Sequence, residues 1–252
     1  MLWPVKSFQN SEIHNSSIPH YLSRVVVDVI IPAYNEEGTI GKVVRDIDRN
    51  LVRHVVVVNN TSTDNTVEVA ESAGALVLHQ NKRGYGRTCL TGVYHVSGLK
   101  TPPDVVAFMD GDYSDFPGQL KDVLAPIREE NIDMVIGSRA LGKREKGSMT
   151  PQQRFGNWLA TVMIRVIYRK KFTDLGPFRA IKLSALQQIN MQDQTYGWTV
   201  EMQVKVIKQG LSYTEIPVDY RRRGAGQSKV AGTLKGTIFA GWKIIITILR
   251  YG

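Results

Sequence analysis

The chain has 252 residues, 42% of them apolar and 22% charged, enough to bury a sizeable core and too apolar for a disordered chain. Cys89 is its only cysteine, which excludes a disulfide framework and a cysteine-built metal site and makes a reducing compartment the expected home. Lysine and arginine outnumber aspartate and glutamate by 32 to 23, and the excess is concentrated between Gly137 and Lys171, where nine basic residues stand against one acid, Glu145. Such a stretch suits nucleic acid, anionic lipid or a phosphorylated substrate, and equally a solvated helix face.

Residues 1–24 read as a polar leader without the basic start and apolar run of a secretory signal. Val25 to Ile31 (VVVDVII) is too continuously β-branched to be half exposed, so it is expected as a central parallel strand. Ile40, Val43, Val44 and Ile47 recur at helical spacing, and His54 to Val58 forms a second apolar run. Asp64 can cap a helix carrying Val67 and Ala70, Gly74 ends it, and Ala75 to Leu78 is a third strand. A helix around Thr88 to Val96 leads to a fourth strand, Val105 to Met109. This alternation implies right-handed crossovers and a mostly parallel sheet with helices on both faces.

Beyond a short strand at Asp133 to Gly137 the pattern changes to a basic loop, and a second lobe is expected from there, fused to the first. A long amphipathic helix carries Phe155, Leu159, Val162, Met163, Val166 and Ile167 on one side. The turn Asp174 to Ala180 (DLGPFRA), a helix from about Trp198 to Gln209, a strand ending at Val218 and the basic run YRRRGAGQSK follow. The last helix, Lys235 to Arg250, can lie at a membrane interface, cover the core or make a dimer contact. The apolar segment Ile238 to Leu249 is too short to span a bilayer, which takes roughly 20 residues.

In a doubly wound sheet ligands bind outside the carboxyl ends of the strands, so PAYNEE after Ile31, NNTSTDNT after Val58 and DGDYSD after Met109 should converge on one cleft. Asp110 and Asp112, two carboxylates at i and i+2 around Gly111, can approach one Mg²⁺ or Mn²⁺, an ion that takes its other oxygens from water and phosphate. The triplet alone is weak, since a like pair at Asp46 and Asp48 falls in a predicted helix; its position after a buried strand is what singles it out. Pro32 fixes the exit of the first strand, and Tyr34 and Glu36 are placed to meet a base or ribose. Asn35 with Glu36 and Glu37 would equally serve a helix start, and the Asn59 to Asp64 segment a capping loop.

Taken together, the three segments resemble the family-2 glycosyltransferases of the nucleotide-diphospho-sugar transferase (GT-A) fold, whose strands end P-x-Y-N-E, D-D-G-S-x-D and D-x-D. The resemblance runs from Val25 to about Gly236. Within the family the chain looks most like the dolichyl- or polyprenyl-phosphate sugar synthases, through Gly137-Ser138-Arg139, the Asp174 to Arg179 turn and Arg223 to Lys229.

The resemblance implies a metal-dependent, inverting transfer of a hexose from UDP-glucose or GDP-mannose, or a like donor, to a polyprenyl or dolichyl phosphate. Tyr34 and Glu36, with Pro32, Ala33 and Asn60, would contact the nucleoside, and Asp110 the ribose or a metal-bound water. Asp112 would hold the metal, Ser138 and Arg139 the acceptor phosphate, and Arg223, Ser228 and Lys229 the diphosphate. An alternative uses a hydroxyl acceptor with Glu201 as general base; another is a non-catalytic module for anionic ligands. Asn59 and Asn60 replace the usual paired aspartates, and Ser114-Asp115 stands where such synthases often have Gln, leaving the third metal ligand open. The implied organisation is one catalytic domain over 25–236, donor-binding over 25–136 and acceptor-side over 137–236, before a C-terminal amphipathic helix at 237–252. The expected partners are donor, lipid phosphate and membrane surface but not nucleic acid, with a homodimer left open. The expected location is cytoplasmic, peripheral on the membrane face if that helix engages lipid.

Overall fold

The computed structural model describes residues 25–225 and 234–251. Seven strands form one sheet in the order β3-β2-β1-β4-β6-β5-β7: β1 Val27–Ala33, β2 His54–Asn59, β3 Leu76–His79, β4 Val105–Phe108, β5 Met134–Ser138, β6 Arg179–Lys182 and β7 Tyr213–Pro217. The helices are α1 Ile40–Asp46, α2 Thr66–Ser72, α3 Tyr85–Ser97, α4 Leu120–Glu129, α5 Pro151–Tyr168, α6 Leu183–Ile189, α7 Trp198–Lys208 and α8 Leu234–Arg250. The pairings β1–β2, β1–β4, β2–β3 and β5–β7 are parallel, while β6 runs antiparallel to both β4 and β5.

The continuous apolar runs are explained by burial on both faces. Along β1, Val29 and Ile31 pack with α1 and α4 residues such as Val43 and Leu124, whereas Ile30 packs on the other side with Cys89 of α3 and Trp198 of α7. Asp28, the one acid in that run, is fully buried; Arg53 Nε donates to its Oδ1 at 3.0 Å and the His54 amide at 3.2 Å. The strand continues to Ala33 past Pro32 because pairing with β4 ends at Ile30 and Phe108, so the missing proline N–H leaves no gap in that ladder.

The segment beyond Gly137, expected to open a second lobe, is built into the same sheet, with β6 inserted between β4 and β5. The expected turn Asp174 to Ala180 ends inside β6, whose first residues are Arg179 and Ala180. That strand is four residues long and begins with a charged side chain, so it carries no buried-strand signature. Its Arg179 is buried and donates to the carbonyls of Gly176, Leu175 and Thr199, closing the turn onto α7. Without an acidic partner in that set, burial pulls its pKa down to about 10. The apolar stripe of α5 is also oriented otherwise than a core helix would have it. Ala160, Thr161 and Ile164 face the core, while Phe155, Val162, Val166 and Ile167 are exposed.

Candidate active site

A cleft of about 1060 Å³ lies at the carboxyl ends of β1, β2 and β4, where the crossovers leave loops free to converge. Pro32, Ala33, Tyr34, Glu36, Asn60, Asp110, Asp112, Arg139 and Arg223 all line it. Each of its three loops holds one non-glycine residue in the left-handed region: Asn35 (φ 52°), Thr61 (φ 61°) and Tyr113 (φ 63°). For a β-branched or aromatic residue that conformation is strained.

Asp110 and Asp112 form the floor. Tyr85 donates its hydroxyl to Asp110 Oδ1 at 3.0 Å, and the Ser114 amide donates to Asp112 Oδ1 at 3.0 Å. Burial first, then the like charge of Asp112, pushes the Asp110 carboxyl up to about 7, against the Tyr85 hydrogen bond and the Arg139 and Arg223 charges. Two repelling carboxylates on a partly dry floor are a donor set suited to a hard divalent cation. Among the described residues no group of three His, Cys, Asp or Glu side chains converges to hold an ion. Neither Ser114 nor Asp115 lines the cleft: Ser114 braces Asp112, and Asp115 is buried, its pKa pushed well up by burial and by Asp110 and Asp112. A Cβ at Gly111 would sit 3.3 Å from Ile40 Cδ1, so the end of that side chain would have to shift slightly to admit one.

The segment after β7 crosses this floor. Arg221 Nε donates to the Tyr113 carbonyl at 2.6 Å with its guanidinium 3.4 Å above that ring, and the Gly224 amide donates to the Asp112 carbonyl at 3.0 Å. Arg223 bridges Asp112, at 3.1 Å, and Glu36. Burial raises the Glu36 pKa and Arg223 opposes it. Glu36 therefore serves the cleft and not a helix start: the cap position of α1 is Thr39, and its first turn holds no acid.

On the opposite wall Arg139 is fixed by Asp174, which accepts from Arg139 Nε at 2.8 Å, Nη2 at 2.7 Å and the Arg139 amide at 2.7 Å. Burial works against the arginine's charge, yet Asp174 raises its pKa and keeps it protonated. Asp174 is itself positioned by Glu215, which accepts the Asp174 and Thr173 amides.

Two expectations for the site, Ser138 and Glu201, need correction, and a third, Asn60, is in place with its side chain engaged. Ser138 is fully buried, shares a 2.7 Å hydrogen bond with Thr173 Oγ1 and does not line the cleft. Glu201 lies off the cleft as well, with its carboxylate accepting from the amides of Gln192 at 2.9 Å and Asp193 at 2.6 Å, from Lys205 Nζ at 2.6 Å and from the Tyr251 hydroxyl at 3.0 Å. That saturation makes it the anchor of the 192–196 loop. Asn60 reaches the cleft, but its side chain is taken: Nδ2 donates to the carbonyls of Gln80 and Lys82, both at 2.9 Å, and Oδ1 accepts the Gly84 amide at 3.0 Å. Ser228 and Lys229 lie outside the described residues, as does the leader.

Sequence reasoning missed Arg83, whose guanidinium sits 3.6 Å above the Tyr34 ring, and Tyr85. Both precede or begin α3, which starts three residues earlier than expected. Gly84 and Gly86 are the only cue in the sequence; the structure shows why position 84 is glycine, since its φ of 147° and a Cβ position 2.2 Å from the Gln194 carbonyl admit no side chain.

The model of "Glycosyl transferase family 2" matches residues 28–189. An uncharacterized glycosyltransferase of Mycobacterium tuberculosis is 31% identical over 223 residues, 87% of this chain and 97% of that protein. Undecaprenyl-phosphate mannosyltransferase of Micrococcus luteus is 27% identical over 237 residues, 88% of this chain and 92% of that protein. The glucosyl-3-phosphoglycerate synthase of Mycobacterium tuberculosis, crystallised with Mn²⁺, UDP and phosphoglyceric acid, superposes with a TM-score of 0.72 at 20% identity, over 90% of this chain and 78% of that one.

Proposed function

The chain belongs to glycosyl transferase family 2, with the GT-A fold, and from that premise we propose that it moves a hexose from a UDP- or GDP-sugar to the phosphate of a polyprenyl phosphate, with inversion. One observation carries the reading: the cleft that holds Asp110, Asp112 and Arg139 is also lined by the apolar side chains of Leu159, Leu175, Ile244 and Ile245. An acceptor with an anionic head and a hydrocarbon tail matches a lining that combines cation and apolar wall. The Micrococcus relative, by its name, acts on undecaprenyl phosphate.

Asp110 and Asp112 would hold Mg²⁺ or Mn²⁺, which when bound neutralises charge building on the departing diphosphate. Arg223 is placed to turn from its carboxylates to that diphosphate, and Tyr34 with Arg83 to flank the base. Arg139, held rigid by Asp174, receives the acceptor phosphate and aims its oxygen at the anomeric carbon. That oxygen's lone pair forms the new C–O bond while the bond to the diphosphate breaks and its electrons leave with the nucleotide. A phosphate monoester is already anionic at neutral pH, so this acceptor needs no general base, in keeping with Glu201 being committed elsewhere.

The test is transfer from labelled UDP-glucose or GDP-mannose, with Mn²⁺, to farnesyl phosphate, farnesol or phosphoglyceric acid in detergent. Label should enter farnesyl phosphate from one donor. Label in farnesol or phosphoglyceric acid, with farnesyl phosphate left bare, overturns the acceptor assignment.

A further inference from the structure

Eight of the eleven large apolar side chains exposed among the described residues lie on just two helices. On α5, Trp158, Val162 and Val166 follow one another at intervals of four and form a stripe opposite the buried Ala160 and Ile164. On α8, Trp242, Ile246 and Leu249, at intervals of four and three, form a second stripe opposite Thr247 and Ile248. The helices pack side by side, tied by the Tyr168 hydroxyl donating to the Ile248 carbonyl at 2.8 Å. Both helices also reach the cleft, whose lining includes Phe155 from one and Trp242 from the other.

Neither helix contains an acidic residue. Arg165 and Arg169 are exposed beside the α5 stripe, Lys170 and Lys171 follow it, and Arg250 closes α8. Among the described residues none of these five makes a salt bridge. The face is thus apolar at its centre, cationic at its rim, and carries two tryptophans. Isolated apolar residues on a surface need no explanation; two aligned stripes do.

We propose that the α5–α8 face docks on an anionic phospholipid bilayer, lying in the headgroup plane with the cleft mouth against the lipid. Charge decides between occupants. A second copy joined through the same face would set one cationic rim against another, whereas anionic headgroups complement the rim and the acyl boundary accepts the stripes. No helix among the described residues is long and apolar enough to cross the membrane, so the contact is one of lying on the surface. The inference rests on the lipid-phosphate reading, because it places the cleft where a membrane-borne acceptor enters.

The full chain is sedimented with vesicles of phosphatidylcholine alone or with about a third phosphatidylglycerol. Anionic vesicles should bind it at least about tenfold more tightly, with the difference shrinking as salt rises. The pair Val162→Glu and Val166→Glu, outside the cleft lining, should weaken binding to both by about tenfold or more. The pair Arg165→Glu and Arg169→Glu should remove only the anionic preference. Unchanged Tm and Mn²⁺-dependent nucleotide binding control for folding. A parent chain that stays in solution, or variants that bind as the parent does, overturn the proposal, as does a dimer that the valine pair dissolves. Transfer to farnesyl phosphate in detergent separates the two readings: it survives if only docking is wrong and disappears if the acceptor is.

Discussion

At the scale of single residues, the site is a set of charges sorted by what already holds them. Asp112 is braced on one oxygen by Ser114 and shares the other with Arg223. Asp112→Asn should keep that bracing and lose the ion's grip, lowering kcat/KM by roughly a hundredfold or more, about 3 kcal/mol of transition-state stabilisation. Calorimetry on that variant should find nucleotide binding no longer responsive to Mn²⁺; a response equal to the parent's would remove Asp112 from the metal site. Glu201→Gln probes the opposite case. The amide keeps one acceptor, but its NH₂ faces donors and Lys205 loses its counter-charge, so stability should fall by about 3 kcal/mol in urea unfolding. Turnover measured well below Tm should stay within a few-fold; a loss of several orders at unchanged Tm would return Glu201 to the role of base.

At the scale of elements, the cleft depends on how α3 begins. Gly84 and Gly86 let the start of the helix touch the 192–196 loop, where the Gly86 amide donates to the Thr195 carbonyl at 3.1 Å and the Arg87 amide to the Gln194 carbonyl at 3.0 Å. This contact orients Tyr85 toward Asp110. Gly84→Ala puts a Cβ into the Gln194 carbonyl at a φ that L-residues avoid, so it should destabilise by about 3 kcal/mol or more. It should also weaken Mn²⁺-dependent nucleotide binding, because the Tyr85 hydroxyl leaves the floor; full stability in urea would show that the loop yields freely. Strand β6 works by the same logic from the other side, since the turn before it delivers Asp174 to Arg139.

At the scale of the whole molecule, ion pairs between distant segments tie the late strands together. Asp133, just before β5, accepts from the Ser212 amide at 2.9 Å, from the Ser212 hydroxyl at 2.7 Å and from Lys182 Nζ of β6 at 3.0 Å. Partial burial pushes its pKa up, but Ser212 and Lys182 outweigh that and hold it below the usual carboxylate value. A depressed pKa contributes stability that is full above about pH 4 and is lost as pH falls through the folded-state value. The stability gap between the parent and Asp133→Asn should therefore be below about 1 kcal/mol near neutrality and close further in acid. A gap that widens on acidification would contradict the assignment.

The alternation of strands and helices was legible because VVVDVII, HVVVV and VVAFM are too apolar to tolerate water on either face, and parallel pairing is their outlet. The polar segments that follow them were legible as a cleft because such a sheet leaves only its carboxyl edge free. Hence Tyr34, Glu36, Asp110, Asp112, Arg139 and Arg223 do meet. What the chain could not disclose by itself was commitment. Ser138 is consumed by Thr173, Asn60 by Gln80 and Lys82, and Glu201 by Lys205 and Tyr251. Most of those partners lie 20 to 50 positions away in sequence. A polar side chain's freedom to act depends on which donors folding brings within 3 Å of it, and local spacing carries no record of that. The outward turn of α5's apolar stripe was hidden for the same reason: periodicity tells that a face is apolar, and only packing tells whether protein covers it.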